Sequence, residues 1–147
     1  TQTKMKKKDI LIGRTVMVKP DLSSGPLLRA EQIGKIEKLL PANPDGAMVI
    51  FDDKKEAGYF LKNLLALAPK TMILDKIIQL YANWGRSEDI KNMLAIFKLI
   101  TSGQAQEALI LATKSEAIRL LCTMDCYELR EIKSKQKNQK VTKRKLQ

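Results

Sequence analysis

The sequence contains no histidine, and this absence excludes much of the common catalytic and metal chemistry. Histidine is the most frequent general base and transition-metal ligand, so Ser–His and Cys–His nucleophile pairs cannot be built. The seven glycines never cluster as Gly-x-Gly-x-x-Gly or before Lys-Ser/Thr, so dinucleotide and phosphate-loop fingerprints are missing too. We therefore expect no enzyme activity, no cofactor and no metal site.

Cysteine is scarce, and long apolar runs are missing. The only two cysteines, Cys122 and Cys126, are too few for a four-ligand zinc site. Their apolar neighbours favour buried, reduced thiols. No apolar run approaches the roughly 18 residues of a membrane helix, and Ile10-Leu11-Ile12 is too short for a signal-peptide core. These absences predict a soluble cytoplasmic protein with no membrane contact.

Positive charge is concentrated at the two ends of the chain. The formal net charge is +11, of which residues 1–9 carry +3 and residues 132–147 carry +7, whereas 10–131 is nearly neutral. Basic segments bind polyanions because each neutralised phosphate releases counterions. The alternative is that these lysine-rich tails only solubilise the protein, since runs of like charge are usually disordered.

The first half of the chain alternates apolar and polar residues with the period of β-strands. The second strand lacks clean alternation, so we expect a bulge or bend near Gly34 or Glu37-Lys38. The predicted strands are 14–19, 29–40, 47–51, 57–61 and 64–67, and a strong turn signal lies at 41–46. Five short strands with the second one bent predict an SH3-like β-barrel over residues 10–68.

A resemblance to a known motif supports this barrel. The run Gly13 to Val18, followed by Ile33 to Leu39, resembles the KOW motif, in which a strand, a loop and a glycine-centred strand form half of such a barrel. It differs from the usual motif at Glu31, where a second glycine is usual. KOW-like domains occur in ribosomal proteins and transcription elongation factors, so the resemblance implies contact with RNA or transcription machinery. A barrel followed by helices is also similar in outline to CarD-like RNA polymerase-binding regulators.

From Pro69 onward, apolar residues recur with the period of an α-helix. We predict four antiparallel helices within 69–132. The first ends at Gly85, the second runs from an N-cap at Ser87 to Gly103, the third covers 104–113, and the last begins at Ser115 and carries both cysteines. The chain is thus predicted to be α+β, with a basic tail at 1–9, a barrel at 10–68, a helical domain at 69–132 and a basic tail at 133–147.

The aromatic residues allow two interpretations each. Tyr81 and Trp84 fall on the apolar stripe of the first helix, so we expect them to pack in a core or between the domains, with exposed recognition aromatics as the alternative. Tyr59 and Phe60 are adjacent on one strand, so at least one should point outward. An outward ring beside lysines would stack on single-stranded bases, unless the helices cover it.

Together these features predict a non-enzymatic nucleic-acid-associated protein that docks through its barrel and holds phosphates of RNA or DNA through its lysine-rich tails. The alternative is a protein-interaction adaptor, with a protein of the transcription or translation machinery as partner. The candidate nucleic-acid-binding residues are Lys6, Lys7, Lys8, Lys35, Lys54, Lys55, Tyr59, Lys62, Lys133, Lys135, Lys137, Lys140, Lys143, Arg144 and Lys145.

Overall fold

In a computed structural model, which describes residues 10–20 and 29–133, strands dominate the first half of the chain and helices the second. The strands are β1 (Thr15–Val18), β2 (Ile33–Leu40), β3 (Asn43–Phe51), β4 (Glu56–Phe60), β5 (Leu64–Leu67) and β6 (Thr123–Asp125). The helices are α1 (Lys70–Ala82), α2 (Ser87–Thr101), α3 (Ala105–Ala112), α4 (Glu116–Cys122) and α5, described over 126–133. The predicted α+β class is confirmed.

The predicted closed five-stranded barrel is wrong, because the strands form one open sheet. Their order is β4-β3-β2-β1-β5-β6, every neighbouring pair is antiparallel, and β4 and β6 are the two edges. The side of β5 that faces away from β1 is paired with β6, where Leu65 lies opposite Asp125. A strand from the far end of the chain therefore occupies the position that barrel closure would have required.

The β2–β3 hairpin contains the predicted irregularity. The register between these strands shifts between Ile36 and Lys38, which confirms a bulge at Glu37. The turn is shorter than the predicted 41–46, since β3 already begins at Asn43. Gly34 is required by close approach: a Cβ atom there would lie 2.6 Å from the carbonyl oxygen of Ile50. The sheet thus bends where the sequence pattern breaks.

The sheet separates two apolar cores. Val16 and Val18 belong to one core and Met17 to the other, as expected for side chains that alternate along a strand. The first core also contains Cys126 and Leu129 of α5. The second contains apolar residues of α1 to α4. All four residues of β5 are buried, because both faces of this strand are covered.

The last predicted helix is split in two. Helix α4 ends at Cys122, β6 follows, and Cys126 opens the next helix, so the two cysteines lie in different cores rather than on one helix. Both thiols are free and buried, as predicted. Burial raises the pKa of Cys122 to about 11 and that of Cys126 to about 12.

The helix starts only partly follow the predicted caps. Ser115 caps α4 as predicted, because its Oγ accepts a hydrogen bond from the Ile118 N–H at 3.2 Å. Ser87 is not an N-cap but the first residue of α2, and Arg86 precedes it with no side-chain cap. Within the described ranges, no helix is both long and apolar enough to cross a membrane.

Candidate interaction face on helices α1 and α2

Helix α1 buries only part of its apolar arc. Ile73 and Ile77 are buried in the second core. Leu74, Ile78 and Tyr81 follow one another at intervals of four and three residues, so they form a neighbouring stripe on the same helix. This second stripe faces solvent, with exposed fractions of 57% for Ile78 and 75% for Tyr81. The prediction that Tyr81 packs in a core is therefore wrong.

Trp84 lies just beyond the C-terminus of α1 and is 95% exposed. The Gly85 N–H donates to the Leu80 carbonyl at 2.7 Å, which is the six-to-one bond of a Schellman motif. Trp84 occupies the left-handed position of this motif, with φ of +57°, where glycine is usual. The prediction that Trp84 closes a core is also wrong: the chain turns this ring into solvent.

Gly85 is the residue that fixes this turn. A Cβ atom at Gly85 would lie 2.9 Å from Leu80 Cδ2 and 3.1 Å from the Leu80 carbonyl oxygen. The glycine is thus needed for close packing one residue after the left-handed position. Trp84 consequently carries the backbone strain itself, and strained non-glycine residues of this kind cluster at functional sites.

A groove runs between Tyr81 and the outer side of α2. Its volume is about 480 Å³, and apolar side chains of Ile90, Leu94 and Ala95 line it together with Tyr81 and Ser87. Two exposed lysines also line it, and no carboxylate does. We call this surface the α1–α2 face; it consists of Leu74, Ile78, Tyr81, Trp84, Ile90, Leu94 and Ala95, with Lys91 and Lys98 at its rim.

Comparison with known proteins gives no match. No family model matches the chain, and no curated protein or solved structure matches it at a significant level. The residues described also contain no group of three or more cysteine, aspartate or glutamate side chains that could hold a metal ion. What this face can do must therefore be judged from its own chemistry, which is apolar contact bordered by positive charge.

Two of the candidate nucleic-acid-binding lysines lie together on the sheet. Lys35 of β2 and Lys54 of the β3–β4 turn line one hollow of about 310 Å³, and Asp52 lies beside them. Lys54 has φ of +66°, and Lys55 next to it is exposed as well. This hollow therefore brings cations together, but a carboxylate shares it.

The two aromatic residues of β4 point in opposite directions. Phe60 is 57% exposed, which confirms that at least one of the pair faces outward. Tyr59 is buried, its ring lies edge-on to Phe51 with centroids 6.3 Å apart, and burial raises its pKa. Tyr59 is thus placed in the core, not on a surface where a base could stack.

The remaining candidate residues do not line this hollow or lie outside the described residues. Lys62 is exposed, with its Nζ 5.6 Å from the centre of the Tyr127 ring. Lys133 is partly exposed at the end of the described part of α5. The candidates outside the described residues are Lys6, Lys7, Lys8, Lys135, Lys137, Lys140, Lys143, Arg144 and Lys145.

An ion pair between the buried Arg29 and the exposed Asp53 joins the segment before β2 to the β3–β4 turn. The Arg29 guanidinium donates to Asp53 Oδ2 at 2.7 Å and to Gln32 Oε1 at 2.8 Å, and it stacks 4.4 Å from the centre of the Phe51 ring. The hydrogen bond from Arg29 holds the pKa of Asp53 below its usual value. No sequence pattern predicted this pair, because 24 residues separate its members.

Proposed function

We propose that this protein is a non-enzymatic adaptor that binds another protein through the α1–α2 face. The observation that carries this proposal is the exposure of large apolar side chains on α1, just after it and on the neighbouring α2, namely Leu74, Ile78, Tyr81, Trp84 and Leu94. Of these, Tyr81 and Leu94 line one groove, and clusters of exposed apolar side chains mark interaction sites. Tryptophan and tyrosine are also the residues most enriched where binding energy is concentrated.

The size of the available binding energy supports the same conclusion. Burying one leucine or isoleucine side chain fully contributes about 1.5–3 kcal/mol. Leu74 and Leu94 are 38% and 41% exposed and Ile78 is 57% exposed, so part of that contribution is still available for binding. The left-handed backbone at Trp84 adds a cost of about 1–2 kcal/mol. This conformation stabilises neither core, and it is explained if the ring contacts a partner.

Selection of peptides from a random displayed library against the full chain would test the proposal. We expect clones that bind wild-type protein and lose at least tenfold in affinity, about 1.4 kcal/mol, with Ile78→Glu or Trp84→Ala. Leu120→Glu is the matched control, because Leu120 of α4 is exposed but lies outside the face. Circular dichroism would establish that each variant is folded.

Two outcomes would contradict the adaptor. One is a selection that yields no clone above background. The other is a set of clones whose affinity is the same for the Ile78→Glu variant and for wild type. A partner among proteins of the transcription or translation machinery, as the sequence suggested, remains a proposal beyond this test.

Nucleic-acid association is the second candidate function, and two observations favour it. Most of the net charge of +11 lies in residues 1–9 and 132–147, and Lys35 and Lys54 share one hollow. Fluorescence anisotropy of labelled single-stranded RNA, single-stranded DNA and duplex DNA should then show binding that weakens steeply with salt. Replacing Lys135, Lys137 and Lys140 with glutamine should flatten this dependence. Binding that is absent, or that ignores salt, would exclude this candidate.

A further inference from the structure

The charged residues that line the groove in the α1–α2 face are both positive. Lys91 and Lys98 both line the groove and are both exposed. They are seven residues apart on α2, so they lie on one side of the helix about 10.5 Å from each other along its axis. The acidic residues of α2, Glu88 and Asp89, are in its first turn and do not line the groove.

An apolar stripe of matching length lies on α1, and its last member, Tyr81, also lines the groove. Leu74, Ile78 and Tyr81 span seven residues of α1, which is again about 10.5 Å. Two turns of a bound helix cover this distance and present side chains at positions i, i+3 or i+4, and i+7. The groove and this exposed stripe together therefore have the length to hold an amphipathic helix laid along α1 and α2.

We infer that the occupant of the α1–α2 face is an amphipathic helix of a partner protein, with acidic residues along one edge of its apolar stripe. This inference rests on the proposed adaptor function and adds the chemical class of the partner. Apolar anchors would fill the groove beside Tyr81 and Leu94. Carboxylates two turns apart would pair with Lys91 and Lys98 at the rim, where complementary charge sets specificity and association rate.

Charge also argues against two other occupants of the face, a second copy of this chain and the chain's own terminal segments. A second copy, bound by two-fold symmetry through the same face, would bring its own Lys91 and Lys98 to the contact. The ends of this chain carry +3 at residues 1–9 and +7 at residues 132–147, so they are repelled by the same lysines. An acidic helix is attracted where these segments are not.

Three labelled helical peptides of about 18 residues would test the inference against the full chain. All three carry the same leucine and phenylalanine anchors, and the two flanking positions, seven residues apart, are glutamate, glutamine or lysine. We expect fluorescence anisotropy at low salt to give wild-type protein at least a tenfold preference for the glutamate peptide over the lysine peptide. This preference should shrink as salt screens the rim charges.

Rim variants separate charge recognition from apolar docking. Lys91→Glu with Lys98→Glu should reverse the preference, and the two glutamine substitutions should abolish it. Lys38→Glu with Lys114→Glu, two exposed lysines outside the face, should leave it intact. Thermal unfolding followed by circular dichroism would establish that the rim variants are folded, and the uncharged substitution Ile78→Ser should weaken all three peptides alike.

The outcomes distinguish the inference from the function on which it rests. If all three peptides bind equally and Ile78→Glu abolishes binding, the adaptor stands and the acidic partner is refuted. If no peptide binds while library clones without acidic residues do, the acidic helix is again refuted and the adaptor stands. If single-stranded DNA displaces the glutamate peptide from the wild-type protein at a matched concentration, the face takes nucleic acid and the inference is overturned.

Discussion

Replacing Trp84 with glycine should stabilise the fold while it weakens docking. The left-handed conformation at φ of +57° costs a residue with a Cβ atom about 1–2 kcal/mol. Glycine does not have this cost, but its greater conformational freedom stabilises the unfolded chain by about 0.5–1 kcal/mol. The indole is 95% exposed, so its removal sacrifices little packing. The net expectation is a gain of about 0.5–1 kcal/mol in the free energy of unfolding.

Urea unfolding followed by circular dichroism at 222 nm would measure this gain. For a chain of this size it corresponds to a rise of about 1–4 °C in Tm. Trp84→Ala is the matched control, since alanine removes the ring but keeps the strained Cβ; its stability should stay within about 0.5 kcal/mol of wild type. Both variants should lose peptide affinity equally, because both lack the indole.

Two results would refute this reasoning. A loss of 1 kcal/mol or more in Trp84→Ala would mean that the ring packs on the protein rather than facing solvent. A glycine variant no more stable than the alanine variant would mean that the backbone is not left-handed at this position. Because Trp84 is the only tryptophan, its emission gives a separate readout: it should be quenched freely by acrylamide in the isolated protein and shift to the blue on binding.

Three further predictions concern the sheet and the titratable groups. Gly34→Ala should lower the free energy of unfolding in urea by about 1–3 kcal/mol, because its Cβ would overlap a backbone oxygen 2.6 Å away. Gly58→Ala is the control: its Cβ meets its nearest atom at 3.7 Å, so it should cost less than about 0.5 kcal/mol. Equal losses in the two variants would disprove the packing argument. The pKa values of Cys122 and Cys126 are raised to about 11 and about 12, so the stability that their neutral thiols give is complete below the unfolded-state pKa near 8.5 and is lost as pH rises toward the folded-state values. The urea midpoint of the double alanine variant should therefore decline less steeply above pH 9 than that of wild type. An unchanged slope would count against buried thiols. The lowered pKa of Asp53 gives stability that is present above pH 3.8 and is lost as pH falls through the pKa of the folded state. Asp53→Asn should therefore make stability fall less steeply with decreasing pH. A variant with the wild-type dependence on pH would show that the ion pair contributes nothing.

The strands and helices that depend on local pattern could be read from the sequence. Alternation at Val16 and Val18 located β1, and the broken alternation near Glu37 located the bulge. That the sheet stays open could not be predicted in this way, because it depends on which strand pairs with the free edge of β5. That strand is only three residues long, Thr123–Asp125, and it interrupts an apolar helical pattern that runs on both sides of it.

The sequence pattern identified the residues of the candidate face, but the prediction placed them in a core rather than in solvent. Periodicity placed Leu74, Ile78 and Tyr81 on an apolar stripe, yet it does not indicate how much of a wide stripe a neighbour covers. The left-handed conformation of Trp84 was harder still to predict, because a glycine normally occupies the left-handed position at the end of a helix and here Gly85 follows one residue later. The roles predicted for the lysine-rich tails remain predictions.

The position of β6 in the chain sets the order in which the protein can be completed during synthesis. Leu65 pairs with Asp125, sixty residues later, and at about 5–20 residues per second the ribosome needs about 3–12 s to make that distance. Throughout this interval β5, which is apolar at every position, is an unpaired strand edge, and such edges recruit other chains. Slower translation between residues 68 and 123 lengthens the exposure, so the yield of folded protein should depend on codon choice in this segment.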